Sequence, residues 1–194
     1  MKNPTLDHLN LGQPTVYPEH YDAALLQAVP RQLNRTPIGL AEGQPLPFQG
    51  DDIWHGYELS WLDQKGLPQV AVAEFRVPCH SPNLIESKSF KLYLNSYNDT
   101  RWASWEQVQE QLTVDLSACA GAPVTVVLNT LAQAQRQAFG ELPGHCLDHQ
   151  ELTIDCYQYR PELLQLASTD MVEETLHSHL LKSNCLITNQ PDWG

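Results

Sequence analysis

Hydrophobic positions along the chain change period several times, and each change marks an element. Ile53, Tyr57, Leu59 and Trp61 alternate with Gly56, Glu58 and Ser60, the two-residue period of a half-buried strand. Asp63-Gln64-Lys65-Gly66 reads as a turn, and Val70 to Val77 returns with Ala71, Ala73, Phe75 and Val77 on one face, which predicts a β-hairpin. From Glu86 to Tyr97 the period becomes helical, with Phe90, Tyr93, Leu94 and Tyr97 at i, i+3, i+4 and i+7. Ser104 to Ala120 repeats the helical pattern through Trp105, Val108, Leu112, Leu116 and Cys119, and Gly121 suits a helix stop. Val124 to Leu128 reads as a short buried strand, and Glu151 to Tyr159 alternates through Leu152, Ile154 and Cys156. The order strand, strand, helix, helix, strand, strand predicts an α+β fold, one antiparallel sheet with two helices on one face.

The flanks are less regular. Residues 1–50 carry Pro14, Pro18, Pro30, Pro37, Pro45 and Pro47, so an extended arm packed along the sheet or a partner subunit is expected. Within it only Tyr21 to Ala28 has a helical pattern, ended by Pro30. After Pro161, Met171 to Leu181 fits a helix on Val172, Leu176 and Leu180, or a strand, and the pattern does not decide between them. The expected division is therefore an arm at 1–50, a first module at 51–160, and a linker with the beginning of a second module at 161–194. Asp192-Trp193-Gly194 brings no turn or cap, so the chain is expected to stop inside that second module.

Composition narrows the function classes. With 23 acidic and 11 basic side chains in 194 residues, the net charge of −12 repels phosphate backbones and anionic membranes. No apolar run reaches the ~18 residues of a bilayer span, and Met1 to Asn10 lacks the apolar stretch of a secretory leader. Cys79, Cys119, Cys146, Cys156 and Cys185 are odd in number and scattered, which reads as reduced thiols in the cytoplasm.

Three sets of residues carry candidate chemistry. Glu86-Ser87-Lys88-Ser89-Phe90-Lys91-Leu92-Tyr93 opens a helix, where backbone N–H groups favour an anion or a polar ligand. Glu86 offers two acceptor oxygens to a planar N–H edge, while Lys88 and Lys91 add positive charge; an amphipathic helix with solvated charges has the same pattern. Cys185 lies near Lys182, which favours its thiolate, and Asp192 is close enough in sequence to serve as a proton donor; a buried thiol beside a surface carboxylate is the plainer reading. Cys79-His80, His145-Cys146 and His149 are zinc-type ligands without a paired spacing, and His177 and His179 share a face only if their segment is a strand. No metal is assigned from these residues.

Glu86 to Tyr93 together with Leu181-Lys182-Ser183-Asn184-Cys185-Leu186-Ile187-Thr188-Asn189-Gln190-Pro191-Asp192-Trp193 resembles the NADPH-dependent 7-cyano-7-deazaguanine reductases, nitrile reductases of queuosine biosynthesis, a tRNA modification pathway. Because Glu86 precedes Cys185, the resemblance is to the long form, a tandem of two tunnelling-fold modules that acts as a homodimer. It implies that Cys185 attacks the nitrile carbon to give a thioimide and that Asp192 moves protons to the nitrogen. It further implies that Ile85, Glu86 and Ser87 bind the deazaguanine and that Ser87 and Lys88 contact NADPH. The implied partner is a small molecule, not a nucleic acid or a membrane. Two alternatives share the fold: a non-catalytic binding or assembly module, and a zinc-dependent cyclohydrolase-like enzyme.

Overall fold

The computed structural model describes residues 17–134, 140–158, 160–184 and 191–193, and the chain divides into two compact units, Met1–Ala138 and Phe139–Gly194. That division falls ahead of Pro161, because residues 145–146 pair with residues 176–177 within the later unit.

The first unit runs β1 (Ala28–Pro30), α1 (Gln32–Arg35), β2 (Asp51–Leu62), β3 (Pro68–Pro78), β4 (Asn83–Ile85), α2 (Ser87–Asn95), α3 (Trp105–Ala120), β5 (Thr125–Asn129) and α4 (Leu131–Ala134). Strands β2, β3 and β5 form an antiparallel sheet in that order, and β1 pairs antiparallel with β4. Ala71, Ala73, Phe75 and Val77 of β3 join Phe90 and Tyr93 of α2 and Val108, Leu112 and Leu116 of α3 in one core. The predicted α+β layer of two helices on an antiparallel sheet is the observed one. Ser104 caps α3 by accepting from the Gln107 amide, and Gly121 ends it at φ 72°. A side chain at Gly121 would also collide with Pro82, its Cβ only 2.7 Å from the ring.

Strand β2 departs from its predicted face. Ile53 and Tyr57 are exposed, whereas Leu59 and Trp61 are buried, although all four share odd numbering. The register explains the change: Gly56 faces Ala73 and Leu59 faces Ala71, so β2 carries one extra residue at a bulge. An extra residue reverses which side chains face inward. Trp54 consequently packs against the core before the bulge, with its ring edge-on to Phe90.

The described part of the N-terminal arm is neither simply extended nor helical over Tyr21 to Ala28. A 3₁₀ turn at Ala23–Leu25 is capped by Asp22, and the chain then enters β1. Helical bonding is outcompeted because the Gln27 amide donates to Ser89 Oγ and its carbonyl accepts from the Glu86 amide. Tyr21 packs edge-on against Tyr97 and Trp102, so the arm supplies part of the first unit's core. Arg31, although buried, is paired with Asp52 and donates to Ser81 Oγ.

In the later unit, β6 (His145–Cys146) and β7 (Leu176–His177) pair in parallel, while β8 (Lys182–Asn184) and β9 (Pro191–Trp193) pair antiparallel. The predicted strand at Glu151 to Tyr159 is not formed over the described residues 151–158, and Leu152 and Ile154 are exposed. Alternation suits a half-buried strand, but the backbone still requires a neighbouring ladder, which this segment lacks among the described residues. Within Met171 to Leu181 the ambiguity resolves to the short strand β7, with Met171 and Val172 exposed. Among the described residues no helix is long and apolar enough to cross a membrane.

Leu112 is fully buried in α3 and Val114, two residues on, is 57% exposed. Leu112→Ala is expected to lower the unfolding free energy of the first unit by ~2–5 kcal/mol in urea denaturation. Val114→Ala is expected to change it by no more than ~0.5 kcal/mol.

Candidate functional site

Ile85 ends β4 and Glu86 turns the chain into α2. Both are buried, at 6% relative exposure each. Glu86 adopts extended backbone angles and acts as N-cap of α2, where its two carboxylate oxygens accept from the Lys88 and Ser89 amides at 2.9 and 2.7 Å. The Ser89 hydroxyl donates to the Glu86 carbonyl at 2.7 Å. A carboxylate in this position stabilises the helix start twice, by satisfying orphan N–H groups and by meeting the positive end of the helix dipole. Each oxygen retains a further lone pair, so the capped Glu86 can still accept from a planar N–H donor edge.

Ser87 and Lys88, the first two residues of α2, are half-buried beside it. A hydroxyl and an ammonium are a donor set suited to an anionic group such as a phosphate. The amides of Lys88 and Ser89 are already held by Glu86, so anion recognition here depends on side chains instead of the helix end. Two clefts flank the motif. One of about 680 Å³ is walled by Glu58, Gln69, Lys91 and Asn95, and one of about 410 Å³ by Arg31, Arg35, Asp52 and Leu84. Neither is lined by Ile85, Glu86, Ser87 or Lys88.

Beneath α2 lies a polar layer that periodicity did not reveal. Tyr21 and Tyr93 both donate to Asp115 Oδ2, at 2.6 and 2.7 Å, and Tyr93 and Tyr97 share a 2.7 Å hydrogen bond. Gln111 donates to Tyr21 Oη and to Asp115 Oδ1, closing the network. Burial pushes the Tyr93 and Tyr97 phenols well above their ordinary range, so both remain neutral. Burial likewise raises the Cys119 thiol to about 11, which makes it a poor nucleophile.

Of the cysteine motif, Cys185 lies outside the described residues. The hairpin of β8 and β9 sets the backbone of Asp192 opposite Ser183 and that of Lys182 opposite Trp193. Of the zinc-type residues in the sequence, the structure joins Cys146 with His177 and His179. One donor atom each from Cys146, His177 and His179 lies within 4.8 Å of the other two. Asp148 accepts from Ser178 Oγ at 2.7 Å and from the His179 amide, which with the Ser178 contact foremost holds its carboxyl down at about 2. Cys79 is drawn elsewhere: its amide donates to the Gly50 carbonyl and its carbonyl accepts from Arg35.

The Glu86 cap yields a direct expectation. Glu86→Ala leaves the Lys88 and Ser89 amides without their acceptors and should cost about 1–3 kcal/mol of unfolding free energy in urea. Glu86→Gln keeps one acceptor oxygen and should cost less.

A family model described as the N-terminal part of nitrile reductase, 7-cyano-7-deazaguanine reductase, matches residues 17–128. The match begins in the arm, contains the hairpin, Ile85 to Lys88 and both helices, and ends in β5. It covers more than half of the chain, so this protein belongs to the 7-cyano-7-deazaguanine reductase family of nitrile reductases and carries that family's N-terminal domain.

Proposed function

We propose that this chain acts in NADPH-dependent reduction of 7-cyano-7-deazaguanine to its aminomethyl product, the nitrile reductase step of queuosine biosynthesis. The observation that carries the reading is the family match over residues 17–128, which encloses the buried Glu86 at the start of α2. The Cys185 to Asp192 segment, outside that match, supports it by its sequence.

A nitrile is a weak hydride acceptor, so its activation needs a nucleophile and an acid. In this proposal Cys185 Sγ bonds to the nitrile carbon while one bond of the C≡N opens, and the nitrogen receives its proton by way of Asp192. The resulting thioimide keeps every atom of the nitrile. Ile85, Glu86 and Ser87 hold the deazaguanine, with the Glu86 carboxylate accepting from its N–H edge. Ser87 and Lys88 would hold NADPH, two molecules of which in succession, each supplying one hydride when bound, meet the four-electron reduction. Asp192 returns protons to the nitrogen as the carbon–sulfur bond breaks and Cys185 is freed. The proposed setting is cytoplasmic, with a homodimer as the assembled form and no nucleic acid or resident metal engaged in this step.

Incubation of the chain with 7-cyano-7-deazaguanine in the absence of NADPH should raise its intact mass by the full mass of the nitrile. Cys185→Ala should abolish that gain, and Asp192→Asn should slow it at least tenfold. No adduct on the unaltered chain, or an adduct that persists in Cys185→Ala, would sink the thioimide proposal. Lys88→Met should weaken NADPH binding, measured by quenching of protein fluorescence, without changing the mass gain.

A further inference from the structure

We propose that Cys146, His177 and His179 form a metal site in the later unit that takes a zinc ion through one thiolate and two imidazoles. This assignment is independent of the nitrile chemistry and rests on residues of that unit alone. The donor types are those that zinc selects, and one donor atom of each lies within 4.8 Å of the others. A zinc shell with bonds of about 2.0–2.3 Å sets such donors roughly 3.3–3.8 Å apart. Closing from the observed separation therefore takes side-chain movements of about 1 Å.

Each ring has an oxygen partner at Nδ1. His177 Nδ1 lies 3.1 Å from the Pro143 carbonyl, an acceptor only, so that nitrogen carries the proton. His179 Nδ1 lies 3.0 Å from Asp148 Oδ2, again an acceptor while the carboxylate is ionised. A zinc-bound histidine is oriented in the same way, by a carbonyl or carboxylate on the ring nitrogen that does not bind the metal. The rings are neighbours, with centroids 5.4 Å apart. Asp148 also holds the Ser178 hydroxyl at 2.7 Å. On binding zinc the Cys146 thiol gives up its proton, and the S–Zn bond replaces the S–H bond without any change of oxidation state.

The fold supplies the site by a close backbone approach. The His145 amide donates to the Thr175 carbonyl and the Leu147 amide to the His177 carbonyl, each at 2.9 Å, which sets Cys146 opposite His177. Gly144, at φ 96°, makes that approach possible, since a Cβ there would sit 2.2 Å from the Thr175 carbonyl oxygen. His179 lies in a bend just beyond β7, where Asp148 holds its amide and its ring meets that of His177 edge-on. With three protein donors the fourth position is left to water, and the ion ties residues 146 and 177–179 together just ahead of Lys182.

The test uses the whole chain, stripped of metal under reducing conditions and titrated with Co²⁺ and Zn²⁺. Saturation at one equivalent is expected, with the visible bands of tetrahedral cobalt and a near-ultraviolet thiolate charge-transfer band. Cys146→Ser should remove the charge-transfer band. Asp148→Asn should weaken Zn²⁺ binding about 10–100-fold through loss of its hold on His179, and His177→Ala or His179→Ala should weaken it further. X-ray absorption of the zinc form of the unaltered chain, which needs no variant to fold, should show one sulfur and two imidazoles. Absence of saturable binding, a shell without sulfur, or a shell of two or more sulfurs drawn from the other cysteines would each overturn the site.

Discussion

A buried carboxylate governs the first unit. Glu86 is taken almost wholly out of water, and an uncompensated charge there would be prohibitive, so its oxygens must find donors close by. They find them in the first turn of the helix that Glu86 itself begins. The same residue donates its amide to Gln27, and Ser89, one of its partners, accepts from the Gln27 amide. A single capping requirement thereby fixes the end of β4, the start of α2 and the path of the N-terminal arm.

The rest of the unit is arranged around that junction. The arm brings Tyr21 to Asp115, where it meets Tyr93 from α2 and Gln111 from α3, so one carboxylate gathers hydroxyl and amide donors from three segments. Buried polar layers of this kind constrain geometry more than they add stability, since each group must be satisfied in one arrangement. The bulge in β2 serves the same packing. It lets Trp54 face inward on one side of the bulge and Leu59 and Trp61 on the other, whereas an unbroken strand would have to choose one parity.

The family match and the proposed chemistry fall in different parts of the chain. The matched domain contains Ile85 to Lys88 and the clefts beside them, whereas Cys185 and Asp192 belong to the later segment. Among its described residues that later unit has few regular elements and many exposed hydrophobic residues, among them Leu164, Leu166 and Met171. Its short parallel pair is organised instead by polar contacts converging on Asp148, with Cys146 and two histidines beside them. A unit with so little apolar burial depends on such directed contacts for its order.

The sequence by itself determined the hairpin, both helices with the Ser104 cap and Gly121 stop, and the fifth strand, because periodicity and capping are local properties of the chain. It also singled out Glu86 as the first residue of a candidate binding motif, on residue type and position. Tertiary structure alone decided that this carboxylate is buried and bonded to its own helix, with the Glu86 amide tied to Gln27 of the arm. It decided the face of β2, because a bulge is visible only in the register between strands. It withheld a strand from residues 151–158, whose alternation is local but whose ladder partner is not. The Cys146, His177 and His179 cluster was illegible for the same reason: its members are brought together by pairing between distant segments, and no spacing along the chain encodes that approach.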